Sequence, residues 1–442
     1  VGLGSILLPG TSELLTGGVT GASVPLTGVD ILTTTTSVRR LIAFDHVLDG
    51  GELRAGLKRS LQDFPVLTGR LTQGPDRKPQ IALTDRGLLF EVVDLREDMP
   101  AFGKTCLMKS RAKQFSVKLS VHPTNRDRPI AGIRVTRFKD GTVIGFSSVH
   151  ALCDGTSAWM LMNSWSEYVR RGESAIQPDL DRSSLIDLGA ESDGRSPDPE
   201  SGFARLGGWG RVKLYGNFAI SYLGTQSVVY HIPEDYLKQK KEEVMPQLRE
   251  GEWVSIRDVA AALIVESLNQ ILPGSSGEVT TFYNIRGVEG VPVKDSYFGN
   301  AVVGRTWRET RDAEGLARIA ANLRRRQNAI TRDGVLGDLA FLERERQKGR
   351  AGSLVQSSVL ASFRHGILIN NYSRFPIYSV DFGKGAPVWA DYPALPMQQL
   401  AIINPHPRGD GVVVHLCLKR RSMKRLLGLP AAVRHFDSWL EA

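Results

Sequence analysis

The 442-residue sequence has little cysteine: Cys106, Cys153 and Cys417 are the whole complement, and no two of them stand in a CxxC pair. That excludes a disulfide framework and a zinc ribbon, and it makes a reducing compartment, the cytoplasm, the simpler expectation. Long hydrophobic runs are missing too. No stretch approaches the ~18 to 20 apolar residues that span a bilayer, so no membrane span is expected. The first basic residue is Arg39, which gives no charged n-region of the secretory-signal kind. GxxxxGKS/T, GxGxxG and GxSxG are all absent, so a P-loop, a dinucleotide fold and an esterase elbow lose support.

What is present suits a globular protein with a sizeable core: 41% hydrophobic and 23% charged residues, with a net charge of +9. A chain of this length is better divided into two domains than one. The basic excess has no single source. Arg324-Arg325-Arg326, Lys238 to Lys241 and Lys419-Arg420-Arg421 sit in segments that otherwise read as helix or strand. They read as solvated faces, with phosphate binding as the sharper alternative. No nucleic-acid motif accompanies them, so no nucleic-acid partner is expected.

Residues 1–25, rich in Gly, Thr and Leu, read as an arm. "SVRRLIAFDH" then predicts a strand, and "GGELRAGLKRSLQDFP" a helix stopped by Pro65. Two strand-like runs flank Lys139-Asp140-Gly141, where Asp-Gly signals a hairpin. Ala158, Leu161, Met162, Trp165, Tyr168 and Val169 recur at helical spacing up to Gly172, so a helix begins near Asp154 to Thr156. The polar, Gly/Ser/Pro-rich stretch 186–215 reads as a linker between residues 1–185 and 216–442. Beyond it, "SVVYHIP" predicts a strand, "SIRDVAAALIVESLNQIL" a helix with Ser255 and Asp258 as capping pair, and "RDAEGLARIAANLRRRQNAI" an amphipathic helix. Strands at "FPIYSVDFG" and "GVVVHLCLKR" and a closing helix near "AAVRHFDSWLEA" complete the pattern.

The best candidate for chemistry is "SSVHALCDGTSAW", residues 147–159, with His150 at a strand end and Asp154-Gly155 at a helix start. A metal site would need further ligands at suitable spacing, and none stand out. Cys153 beside His150 permits a nucleophile, but a lone Cys is more often a small buried hydrophobe. Taken alone, the spacing supports a general base and a satisfied core histidine equally.

Other segments break that tie. His150-x-x-x-Asp154-Gly155 resembles the HxxxDG motif of the BAHD superfamily of acyl-CoA-dependent acyltransferases. "SVDFGKGAPVWAD" (379–391) resembles its DFGWG signature, and "SYFGN" (296–300) a third landmark. Weaker echoes, "VPLTGVDIL", "LKRSLQDFPVLTGRL", "PDLDRSSL" and "NYSRFPIY", fall in the family's order. The sequence departs from the pattern at Lys384, where the family has Trp, and at Arg286-Gly287-Val288, which lacks a second Arg.

The resemblance implies an α/β fold of two similar chloramphenicol-acetyltransferase-like domains, each a mixed β-sheet flanked by helices, with a channel between them. It implies a monomeric acyltransferase, for acyl groups other than amino-acyl, that uses acyl-CoA as co-substrate, a small-molecule alcohol or amine as acceptor and no tightly bound cofactor. His150 is then the general base and Asp154 its structural support, paired with an Arg. Arg286 is a candidate partner for Asp154 or for Asp381. Asn370 and Tyr372 match the positions of oxyanion donors, while Ser255, Arg286 and Asn300 match segments on the coenzyme A side. Gly155, Asp381, Phe382, Gly383 and Gly385 are motif residues that shape the backbone. A condensation domain of peptide-synthetase type shares the fold but has a second His where Val149 stands. The remaining alternative is an inactive small-molecule-binding homologue.

Overall fold

The computed structural model describes residues 10–101, 112–120, 127–272, 277–308, 315–363, 366–392, 397–435 and 437–438. Cys106 and the end of the predicted closing helix lie outside them.

Two mixed sheets organise the chain. The first runs Thr11–Leu15, Leu88–Asp94, Ala131–Arg137, Thr142–Val149, Ser37–Phe44, Trp389–Asp391 in spatial order. The second runs Val302–Arg308, Glu278–Asn284, Ile367–Asn371, Leu400–Pro405, Val412–Lys419, Thr225–Ile232, Asp437–Ser438. Each mixes parallel with antiparallel pairs: Leu88–Asp94 lies parallel to Ala131–Arg137, and Ile367–Asn371 lies parallel to both of its neighbours. Parallel neighbours need crossovers that lay helices on a face. Leu316–Asn328 lies in such a crossover, between Glu278–Asn284 and Ile367–Asn371, and covers the second sheet with Ile256–Ile271; Gly50–Asp63 and Gly155–Arg171 cover the first.

Local sequence explains the elements nearest the site. The hairpin predicted at Asp140-Gly141 joins Ala131–Arg137 to Thr142–Val149 in register, with Arg137 opposite Thr142. Asp154 caps the helix Gly155–Arg171 by accepting from the Ser157 N–H, and Gly172 ends it at φ 78°. Ser255 and Asp258 form the predicted capping box.

Several expectations are corrected. The amino-terminal arm contains the strand Thr11–Leu15, paired with Leu88–Asp94 at the sheet edge. The stretch 186–215 is not a bare linker. The helix Ser183–Glu191 runs into it and presses Gly189 against Leu339, so close that a Cβ would stand 2.8 Å from that residue's carbonyl oxygen. The short strand Phe203–Arg205 follows, and then the start of the helix Gly208–Gly224. "FPIYSVDFG" forms a 3₁₀ turn, Ile377–Ser379, followed by a loop, because Ile377, Val380 and Phe382 plug the core beneath the first sheet instead of alternating across a sheet. The described part of the closing segment is a four-residue helix, Ala431–Arg434, and a two-residue strand.

The halves interlock. Trp389–Asp391, from the carboxy-terminal half, is the last strand of the first sheet, pairing Asp391 with Leu41. Phe382 packs edge-on to Trp165 at 4.7 Å and to Phe44 at 5.7 Å. Leu41, Ala43 and Val143 share an apolar layer with Val229 and Val413 of the second sheet.

Candidate active site

His150 follows the buried strand Thr142–Val149 and opens a turn that is pinned at nearly every polar backbone atom. Its N–H donates to the Thr36 carbonyl at 2.7 Å, and its own carbonyl accepts from Asn300 Nδ2 at 2.9 Å. The carbonyls of Ala151 and Leu152 accept from Arg182 Nη1 and Nη2 at 3.0 and 2.6 Å. The Asp154 N–H reaches the Gly299 carbonyl at 3.3 Å. Arg182 is paired with Asp30 at 2.8 Å, both side chains being 0% exposed, and Asp30 also accepts from Asn300 Nδ2 at 2.8 Å. One buried network therefore holds the three successive carbonyls of residues 150–152.

The His150 ring is half-buried. Nδ1 is sealed from solvent without a well-directed hydrogen bond, so the influence of its own carbonyl is electrostatic. Burial lowers the imidazole pKa and Arg40 adds to that; the ring's own carbonyl, Asp154 and Asn300 oppose it without cancelling it. The net effect favours the neutral, proton-accepting form.

Asp154 points the other way, into the protein. One oxygen caps the helix; the other accepts from Arg286 Nη1 at 2.8 Å and from the Ala301 N–H at 3.0 Å. Burial pushes its carboxyl up, but Arg286 and the two backbone N–H groups together hold it below the usual carboxylate range. The choice for Arg286 is thus settled by geometry. Asp381 instead accepts from the N–H groups of Gly383 and Gly385 at 2.7 and 2.9 Å, with Arg170 at 3.9 Å. Gly383 and Gly385 have φ of 100° and 111°, which a side chain rarely tolerates. Lys384 between them is exposed, and its amine donates to the Val47 carbonyl.

The YFGN segment is scaffold for this turn. The Tyr297 carbonyl accepts from Arg286 Nη2 at 2.8 Å, and the Gly299 carbonyl from Ser157 Oγ at 3.0 Å. Phe298 packs edge-on to Phe64. Arg286, with a side chain 1% exposed, and Asn300, 1% exposed, are spent inside the protein instead of lining a ligand surface. Ser255 is likewise engaged in its capping box, with Asp258 held by Arg324. Arg325 and Arg326 face Glu252 and Glu200, so this cluster is internally neutralised and offers no ready phosphate site.

Asn370 is half-buried near the end of Ile367–Asn371, and Tyr372 follows. The Tyr372 ring stacks on Phe375 at 4.6 Å, and Phe375 occupies the space where a Cβ on Gly155 would stand, 2.6 Å away. The segment is thereby brought against the His150 turn, which also explains the glycine of HxxxDG. Cys153 is fully buried, with its thiol pushed up to about 11 by burial, and so is no thiolate nucleophile near neutrality. Among the described residues no cluster of three or more His, Cys, Asp or Glu could hold a metal ion, and no helix is long and apolar enough to cross a membrane. Sequence reasoning missed Asp30, Arg182 and Arg40. Asp30 lies in "VPLTGVDIL", where a charge amid apolar residues was the available signal; Arg182 lies in the polar "PDLDRSSL", which offers no such contrast.

Comparison with known proteins bears on the family and the fold. The sequence matches the Transferase family over residues 21–200 and 266–427. It is 27% identical to agmatine coumaroyltransferase-1 of Hordeum vulgare, across 90% of both chains. It is 23% identical to a hydroxycinnamoyltransferase of Narcissus pseudonarcissus, across 82% of this chain and 83% of that one. The fold superposes on F. graminearum TRI101, solved with coenzyme A and T-2 mycotoxin, with a TM-score of 0.76 at 15% identity, covering 95% and 100% of the two chains. The chain belongs to the Transferase family, the BAHD superfamily of acyltransferases.

Proposed function

We propose that the protein transfers an acyl group from acyl-CoA to the hydroxyl or amine of a small-molecule acceptor in a ternary complex, with His150 as general base. The observation that carries this reading is an imidazole on a turn clamped at three successive carbonyls, with Nδ1 sealed inside so that Nε2 is the nitrogen left to meet a substrate. Nε2 takes the proton from the acceptor as its oxygen or nitrogen attacks the thioester carbonyl. The tetrahedral oxyanion collapses, the C–S bond breaks, and the imidazolium returns the proton to the departing thiolate as coenzyme A. A base so placed contributes roughly 10² to 10⁴-fold.

Asn370 and Tyr372 are the proposed oxyanion donors, since both lie on the segment packed against the turn. Asp154, Arg286 and Asn300 act as positioning residues that hold the His150 loop. Ser255 contributes through the end of its helix. Residues 1–185 and 216–442 are read as the two acyltransferase domains. Acyl-CoA is a co-substrate, and no resident cofactor is required. Relatives named for hydroxycinnamoyl and coumaroyl transfer, one with agmatine in its name, support acyl transfer and leave both oxygen and nitrogen acceptors open.

The test is free-thiol release by purified protein from a panel of acyl-CoA donors with pooled alcohols and amines, alongside His150→Ala. Acceptor-dependent release lost in the folded variant supports the reading. Release that persists in the variant sinks it.

A further inference from the structure

Buried arginines in this protein have partners. Arg182 meets Asp30 and Arg286 meets Asp154, each at 2.8 Å; Arg305 meets Asp338 at 2.7 Å and Arg346 meets Glu343 at 2.6 Å. Arg70 spends its guanidinium on the carbonyls of Thr68, Gly69, Arg86, Gly87 and Asp127. Arg40 departs from the rule. It is 6% exposed and makes no ion pair among the described residues. Nη1 has no hydrogen-bond partner, and its polar contact is a long one, Nη2 to the Asp154 carbonyl at 3.5 Å. The carboxylate of Asp154 is not available to it, being taken by Arg286, the Ser157 N–H and the Ala301 N–H.

Its position gives that orphaned cation a meaning. Arg40 stands on Ser37–Phe44, opposite Phe146 on the strand that leads into His150. Its charge is felt by His150 and Cys153 of the His150 turn and by Tyr372 of the segment packed against that turn. A buried guanidinium without a counter-charge is costly to keep, and the cost is relieved when an anion arrives. The planar fork matches the two oxygens of a carboxylate, the anionic group that an acceptor acid or a dicarboxylic acyl chain would bring.

We propose that Arg40 anchors a carboxylate carried by one of the two substrates. The protein then uses either a hydroxy or amino acid as acceptor, or a dicarboxylic acyl group on coenzyme A. This rests on the acyl-transfer reading given above and narrows its substrate class. The anion lies within reach of the His150 turn, so its capture also orients the reacting group toward the base.

The test compares acids with their neutral counterparts in two arms, using the full chain. One arm offers hydroxybenzoic and aminobenzoic acids against their methyl esters with a fixed donor; the other offers succinyl-CoA against butyryl-CoA with a fixed acceptor. In one arm kcat/KM should favour the acid by about tenfold to a hundredfold, the worth of one buried charge-assisted contact. The preference should lie mainly in KM. Arg40→Met should bring that ratio near one, and Arg40→Lys should keep part of it. The arm that responds identifies which substrate carries the carboxylate. Equal use of acid and neutral partner in both arms, or a preference that survives Arg40→Met, overturns the proposal. Because the wild-type comparison needs no variant, a misfolded Arg40→Met does not remove the test. Calorimetric titration of the same pairs reads the preference without turnover. Acid-selective binding without thiol release would refute the acyl-transfer reading and keep the anchor, whereas binding without selectivity refutes the anchor.

Discussion

Replacing Asp154 by Ala removes three contacts at once from a site with almost no access to water. Arg286 loses its counter-ion at 2.8 Å while its side chain remains 1% exposed, the Ala301 N–H loses its acceptor, and the helix Gly155–Arg171 loses its cap. Breaking a buried pair on one side costs about 3 to 5 kcal/mol, and a lost cap about 1 kcal/mol more. The sum, about 4 to 6 kcal/mol, should lower the melting midpoint by about 5 °C if the whole chain melts as one unit and about 10 °C if one half does. Calorimetry or circular dichroism against temperature reads this directly. The sign with pH follows from the depressed carboxyl. Its stabilisation is present above the unfolded value of about 3.9 and is lost as pH falls through the lower folded value, so the gap between wild type and variant narrows in acid. Replacing both partners, Asp154→Leu with Arg286→Met, should recover much of the loss, because the stranded charge goes with its partner. A single variant within about 1 kcal/mol of wild type would refute the reasoning, since only a pair with access to water behaves so.

Other outcomes follow from the same geometry. Because the His150 imidazole is held below its ordinary value, kcat/KM should rise with pH along an acid limb centred below about 6.5; a pH–rate profile with its acid limb centred above that value would contradict it. Arg182→Met strands Asp30 and frees two carbonyls of the His150 turn, so it should cost about 3 to 5 kcal/mol in denaturant unfolding and lower turnover in whatever protein still folds. Lys384→Trp restores the family residue at an exposed position and should change stability by no more than about 0.5 kcal/mol in the same titration. Gly385→Ala forces a side chain onto φ 111° and should destabilise by about 1 kcal/mol or more, read as a lower urea midpoint.

The features legible in the sequence are those set by neighbouring residues. Asp140-Gly141 announces the hairpin, Asp154 and Gly172 bracket a helix, and Ser255 with Asp258 starts another; each signal is written within a few positions. His150 and Asp154 stood out through local spacing, but their reading needed the distant segments 296–300 and 379–391. What closes the site was not legible. Arg286 reaches Asp154 across 132 positions, and Asn300 reaches Asp30 across 270, so neither partner can be read from local pattern. Ile377, Val380 and Phe382 lie in an apolar-rich run that read as a strand because burial, which a pattern records, does not say whether a sheet or a plug provides it. Arg40 was read only as part of a strand, since lack of a partner is a property of the folded neighbourhood alone.

The strand Trp389–Asp391 has a consequence for any attempt to separate the halves. A fragment ending before it would leave Ser37–Phe44 as an open sheet margin, with a row of unsatisfied amides and carbonyls on a largely buried, apolar strand. It would also lack the Phe382 plug against Trp165. Such a piece is sticky by construction, a template for pairing with its own copies. The sheet that carries the His150 turn is therefore complete only once the strand Trp389–Asp391 has been made.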